Sequence, residues 1–102
     1  AALHWIDALA DIDGDGYLEY EARSATGLLN QGWKDSPDGI INADGTLAEP
    51  PIALVEVQGY VYAAKKRLAS VFAALGDEEL AQRLGREAAQ LKRRFNRDFW
   101  LE

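Results

Sequence analysis

From residue 52 onward, apolar residues recur at intervals of three and four. Leu54, Val57, Val61, Ala64, Leu68, Val71 and Leu75 follow the spacing of one helix face and predict a helix over 52–76. Gly76 is a suitable stop and Asp77 a suitable N-cap for a second helix over 77–98. Leu80, Leu84, Ala88, Leu91 and Phe95 share one face of that second helix, with Arg83, Glu87 and Arg94 outside. Together the two make an αα-hairpin with a very short turn. Between Ile52 and Ala64 the first helix is apolar nearly all round, which predicts burial on several sides and more neighbours than two helices supply.

The first half reads differently. Residues 1–10 resemble the end of a helix, with Trp5, Ile6 and Leu9 on one side. Residues 11–51 form a long connection holding six of the glycines and all three prolines, with short β-like pieces around Tyr17 to Tyr20 and Ile40 to Leu47. Asp44-Gly45 between Ile40-Ile41 and Leu47 signals a tight hairpin, since both central positions tolerate positive φ. A connection of this length is more often functional than idle. The expected fold class is mainly α: a helix end, a long loop with a short β-hairpin, then an αα-hairpin.

Composition narrows the choices. The 102 residues are 48% hydrophobic and 27% charged, an ordinary globular balance sized for one domain at most. The absence of cysteine excludes disulfide staples, zinc-thiolate sites and thiol catalysis. No apolar run reaches the roughly 18 residues of a membrane span, and no secretory leader is recognisable. Lacking methionine, and running from a helix-like start to Phe99-Trp100-Leu101, the chain is expected to be a piece of a longer one. Residues 1–51 hold ten acids and two bases, a net −8, while 52–102 hold seven acids and nine bases, a net +2. The acidic half argues against polyanionic partners, nucleic acid or anionic membrane. Lys65, Lys66, Arg67 and Lys92, Arg93, Arg94 read as solvated helix faces.

Candidate chemistry lies in the long connection. In Asp11-Ile12-Asp13-Gly14-Asp15-Gly16-Tyr17-Leu18-Glu19-Tyr20-Glu21, aspartates at alternate positions followed by glycine match the first half of an EF-hand loop. Alternate carboxylates on a tight turn converge on one point, as a Ca²⁺ ion with its many hard oxygen ligands requires. Asp11, Asp13 and Asp15, the Tyr17 carbonyl and Glu19 or Glu21 are the candidate ligands. The twelfth position is Ala22, with Glu21 one place early, so a paired sensor EF-hand is not expected. The competing reading is an Asx-turn loop with exposed acids.

A second candidate is Asn30-Gln31-Gly32-Trp33-Lys34-Asp35-Ser36-Pro37-Asp38. An indole beside carboxylates and amides supplies what a sugar site needs: a flat apolar face and fixed hydrogen-bonding groups. A carboxylate beside an indole is also suited to act as a general acid. The plainer reading is a structural loop with a core tryptophan and capping aspartates. Glu56 and Gln58 occupy the most apolar part of a helix, so they must be hydrogen-bonded, either lining a cavity or locking helices. His4 reads as a packed or partly exposed residue. Phosphate-binding glycine loops, a Ser-His-Asp set and His-Glu-x-x-His are all missing.

Asp13-Gly14-Asp15-Gly16 with Tyr20, Gly27-Leu28-Leu29-Asn30-Gln31-Gly32-Trp33-Lys34-Asp35-Ser36, Ala48-Glu49, Pro51-Ile52-Ala53-Leu54 and Glu56-Val57-Gln58-Gly59-Tyr60-Val61-Tyr62-Ala63-Ala64-Lys65 resemble the bacterial amylo-α-1,6-glucosidase, or glycogen debranching enzyme-related, family over nearly the whole chain. The resemblance implies a segment of an (α/α)6 toroid that acts on an α-glucan or oligosaccharide by inversion, in a cytoplasmic setting, completed by the remaining helices of the barrel. In trehalase and processing-glucosidase relatives the general acid is an aspartate in a Gly-aromatic-Asp or Gly-Met-Asp loop. Here Gly32 and Trp33 align, Lys34 takes the next position, and the acid falls to Asp35, with Asp38 as runner-up. Trp33 would stack on a sugar, while Gln31, Lys34 and Gln58 would hold hydroxyls. The family's base lies beyond residue 102. The alternative function is a non-catalytic, calcium-stabilised helical module that binds carbohydrate or protein.

Overall fold

A computed structural model describes residues 1–100. Leu101, part of the apolar ending noted above, lies outside the described residues. The architecture is mainly helical, with α1 at Ala2–Ala8, α2 at Val55–Ala74 and α3 at Glu78–Asp98. The chain divides into two compact units, Ala1–Leu54 and Val55–Glu102.

The second unit is the expected αα-hairpin. Its turn satisfies both helix ends at once. Gly76 has φ of 84°, a left-handed conformation that is open to glycine at little steric cost. Its N–H donates to the Ala73 carbonyl at 3.1 Å, and the Asp77 N–H donates to the Phe72 carbonyl at 2.9 Å. This is a Schellman ending. Asp77 then N-caps α3, its Oδ1 accepting the Leu80 N–H at 3.1 Å. Cap and stop therefore share neighbouring residues, and the helices are forced back on each other.

The seam between them differs in part from the predicted stripe. On α3, Ala81, Leu84, Ala88 and Leu91 are buried, with Leu80 and Phe95 half-buried. On α2 the buried residues are Gln58, Val61 and Lys65, continued by half-buried Leu68 and Phe72. These positions step by three and four, the pattern of a two-helix seam. Ala64, Val71 and Leu75 of the predicted stripe are exposed instead. On a helix that is apolar nearly all round, apolar identity alone does not define one face. The actual seam admits a glutamine and a lysine, each with a long aliphatic stem. Lys65 Nζ pairs with Glu87 Oε2 at 2.9 Å, and Arg83 Nε lies 3.6 Å from Glu87 Oε1. Glu87, expected on the outer face, is thus half-buried and drawn into the seam. Val55 and Tyr60 are exposed, so the all-round apolar character of 52–64 is only partly covered.

In the first unit, α1 is followed by loops joined by isolated antiparallel bridges, Tyr20 with Ile52 and Ile41 with Leu47. Ile52 and Tyr20 exchange N–H···O bonds of 3.0 and 3.1 Å. Because Ile52 is committed to this bridge, helix α2 starts at Val55 and not at 52. The hairpin at 41–47 also departs from expectation. Gly45 alone takes positive φ, at 86°, its N–H donates to the Asn42 carbonyl at 3.0 Å, and the Asn42 N–H donates to the Thr46 carbonyl at 2.8 Å. That is a three-residue turn through Ala43-Asp44-Gly45 and not a two-residue one, because Asp44 stays at negative φ.

Candidate functional site

The first unit has a sparse core. Its buried residues among those described are Ala10, Tyr17, Glu19, Asn30 and Ile52. So little apolar burial contributes only a few kcal/mol, and the loop is held mostly by side chains that bond to backbone.

The acidic loop is organised in this way. Gly16, with φ of 89°, turns the chain sharply enough for its N–H to donate back to Asp11 Oδ2 at 3.0 Å. The Asp15 N–H donates to Asp13 Oδ1 at 3.0 Å, and the Tyr17 N–H donates to Asp15 Oδ1 at 2.8 Å. Each aspartate therefore uses one oxygen to fold the loop. In consequence the carboxylates of Asp11, Asp13 and Asp15 converge, with ligand oxygens within 4.8 Å of one another. Asp11 Oδ1 is buried and has no hydrogen-bond partner, which leaves a desolvated anionic oxygen that a cation would satisfy. Hard, negatively charged oxygens are the donor set Ca²⁺ prefers.

Glu19 and Glu21 do not join this converging group. Glu19 is only 5% exposed, and its Oε2 accepts the Ile12 N–H at 2.7 Å and the Asp13 N–H at 3.3 Å. It acts as an internal staple of the loop. Burial pushes its carboxyl above the ordinary range, the two backbone bonds lower it, and the charges of Asp13 and Asp15 push it up again. Glu21 is exposed, and Tyr17 is buried.

The polar loop is fastened to the same frame. Asn30, buried at its base, donates from Nδ2 to the Ser36 carbonyl and accepts the Tyr20 hydroxyl at Oδ1, 3.3 Å away. Tyr20 is itself held by the Ile52 bridge. Burial raises the Tyr20 phenol above its usual value, offset in part by a backbone hydrogen bond from Gln31. Between these fixed ends the loop stands outward. Gln31, Lys34, Asp35 and Asp38 are exposed, and Trp33 is 89% exposed. Trp33 is therefore not a core residue, contrary to the plainer reading of the loop. Gln58 lies in the second unit, is 1% exposed and borders a small apolar hollow with Tyr62, Leu91 and Phe95.

Asn30 and Glu19 are structural supports that sequence alone does not single out: the spacing offers Glu19 or Glu21 as a metal ligand and Asn30 as one polar residue among many. Only burial distinguishes them. Comparison of the chain with family models, curated proteins and solved structures finds no match.

Proposed function

We propose that the chain is a segment of an inverting glycoside hydrolase of the debranching type, in which residues 30–38 face an α-glucosidic substrate. The single observation that carries the reading is an almost fully exposed indole, Trp33, beside Lys34 and Asp35 on a loop whose base is fixed by buried Asn30. Exposing an indole to water is unfavourable unless a ligand covers it. Held at both ends, the loop would present its groups with little ordering cost on binding. In this reading Asp35 protonates the departing glycosidic oxygen, Trp33 stacks on a sugar ring, and Gln31 and Lys34 hold hydroxyls. The base is a carboxylate supplied by the rest of an (α/α)6 toroid, roughly 6.5–9.5 Å away to admit a water molecule.

The acidic loop would hold a structural Ca²⁺ through Asp11, Asp13 and Asp15, with the Tyr17 carbonyl as the further ligand at the next alternate position. The orphaned Asp11 Oδ1 supports that assignment. The ion would supply charge neutralisation only, stiffening a unit that has little apolar core.

The test is Asp35→Asn in the full enzyme. Turnover of an α-1,6-linked oligosaccharide should fall on the order of 10²–10⁴-fold, with sugar affinity nearly unchanged, because the amide keeps the shape but cannot give the proton. Loss of rate on Asp38→Asn alone would move the acid to Asp38. Normal rates in both variants would make the loop structural and leave the calcium-stabilised binding module as the surviving reading.

A further inference from the structure

The two helices of the second unit leave a groove between them. It measures about 450 Å³ and is walled by Tyr62, Lys66 and Ala69 of α2 and by Gly85, Lys92 and Arg93 of α3. At Tyr62 and Lys92 it passes into the apolar hollow beside Gly59 and Phe95. We propose that this groove seats α3 of a second copy of the chain, antiparallel to its own α3, in a two-fold dimer of hairpins.

The groove has room that the chain itself does not use. Gly59 and Gly85 lie inside the two helices, neither at positive φ, where glycine is destabilising. A Cβ at either position would meet nothing within 4 Å. Packing within the chain therefore requires neither glycine, whereas the close approach of another helix requires a missing side chain.

Charge identifies the second helix. The groove is lined by Lys66, Lys92 and Arg93 and by no acid, in a chain of net −6. Lys92 and Arg93 have no ion pair among the described residues. The positions three and four away from them on α3 hold Ala88, Ala89, Gln90, Phe95, Asn96 and Arg97, none of them an acid. Glu78 and Glu79 open the same helix, exposed and equally without an ion pair among the described residues. Glu78, Gly85 and Lys92 recur every seven residues and so share one face of α3. About a dyad between Gly85 and Arg86, an antiparallel copy places Glu78 opposite Arg93 and Glu79 opposite Lys92, and each pair occurs twice. Gly85 then lies at the axis, where the two backbones come closest. The same register carries Leu75, 73% exposed, towards residue 96 beside the apolar hollow. A single register thus accommodates the charges, the glycine and the exposed leucine. All of these residues belong to the second unit, so the dimer does not depend on what residues 30–38 bind.

The experiment is sedimentation equilibrium of the 102-residue chain, which is expected to dimerise. Glu78→Lys with Glu79→Lys, and separately Lys92→Glu with Arg93→Glu, should each weaken the dimer on the order of 100-fold. The two pairs, each present twice, contribute roughly threefold apiece. An equimolar mixture of the two double variants should dimerise again, because every facing pair is then opposite in charge. Gly85→Gln should weaken the dimer about tenfold or more by crowding the axis. It should leave the monomer at least as helical by circular dichroism, since glutamine is the better helix former. A parent chain that is monomeric at every concentration would overturn the second copy as occupant and leave the groove to a foreign acidic helix. Double variants that dimerise separately, or that stay helical yet fail to pair when mixed, would overturn the register. An undiminished dimer in Gly85→Gln would overturn the close approach at the dyad.

Discussion

Replacing Asp13 by asparagine should change the sign of its effect on stability with the calcium concentration. Oδ1 of the new side chain can still accept the Asp15 N–H, as it does at 3.0 Å now, so the loop geometry is kept and only charge is removed. Two carboxylates with oxygens within 4.8 Å of each other repel by at least about 0.9 kcal/mol at the dielectric of water. Asp13 takes part in two of the three pairs, and screening at physiological salt roughly halves their total, leaving about 1 kcal/mol. In EDTA, Asp13→Asn should therefore be the more stable protein, melting about 4–8 °C higher. In Ca²⁺ at 100 times its Kd, the parent chain gains about 2.7 kcal/mol. If the lost ligand weakens binding about a hundredfold, the variant gains only about 0.4 kcal/mol at the same concentration. The order of melting temperatures then reverses. Thermal denaturation followed by tryptophan fluorescence, in EDTA and in CaCl₂, measures all four values. A variant less stable than its parent in EDTA would show that the aspartates are hydrogen-bonding devices and not a strained cation site. Identical melting of the parent in both buffers would remove the calcium assignment altogether.

Glu87→Gln should cost about 2 kcal/mol in urea denaturation, less than a fully buried pair because Glu87 is 27% exposed against 9% for Lys65. Adding Lys65→Met should recover most of it, and a double variant no better than the single one would refute a charge-based explanation. Asp44 accepts the Thr46 hydroxyl at 2.7 Å and the Thr46 N–H at 3.0 Å; these bonds, the hydroxyl first, hold its carboxyl below 3.8, the ordinary aspartate value. A depressed folded-state pKa contributes stability above that value and loses it as pH falls through the lowered one, so Thr46→Val should move the carboxyl titration upward in NMR and flatten the acid side of the stability curve. Gly76→Ala meets no neighbouring atom at the new Cβ, so its cost of about 1–2 kcal/mol reflects only the left-handed backbone. A smaller loss in urea denaturation would mean that the Schellman turn reshapes.

The αα-hairpin was legible in the sequence because its signals are local. Spacing of three and four, glycine at 76 and a capping aspartate at 77 act within a few residues of themselves, and no distant contact is needed to decide them. The convergence of Asp11, Asp13 and Asp15 was legible for the same reason: alternate acids around a glycine turn meet however the rest of the chain folds. The helix face was not. On α2 nearly every direction is apolar between 52 and 64, so the packing against α3 chose the seam, and it took Gln58 and Lys65 in place of Ala64 and Val71. Glu87 moved inward because a buried ammonium requires a counter-charge across the seam. In the first unit, burial decided the roles of chemically similar residues. Glu19 and Glu21 are two residues apart in the same acidic run, yet the fold buries one on the Ile12 and Asp13 N–H groups and leaves the other exposed, against the shared face that simple alternation would give them. Asn30 and Gln31 divide likewise, one buried beneath the polar loop and the other exposed on it. Sequence determines which groups are present and how they are spaced. Which of them lose their water is a property of distant neighbours such as Ile52, whose bridge to Tyr20 closes the unit, and that only the tertiary structure decides.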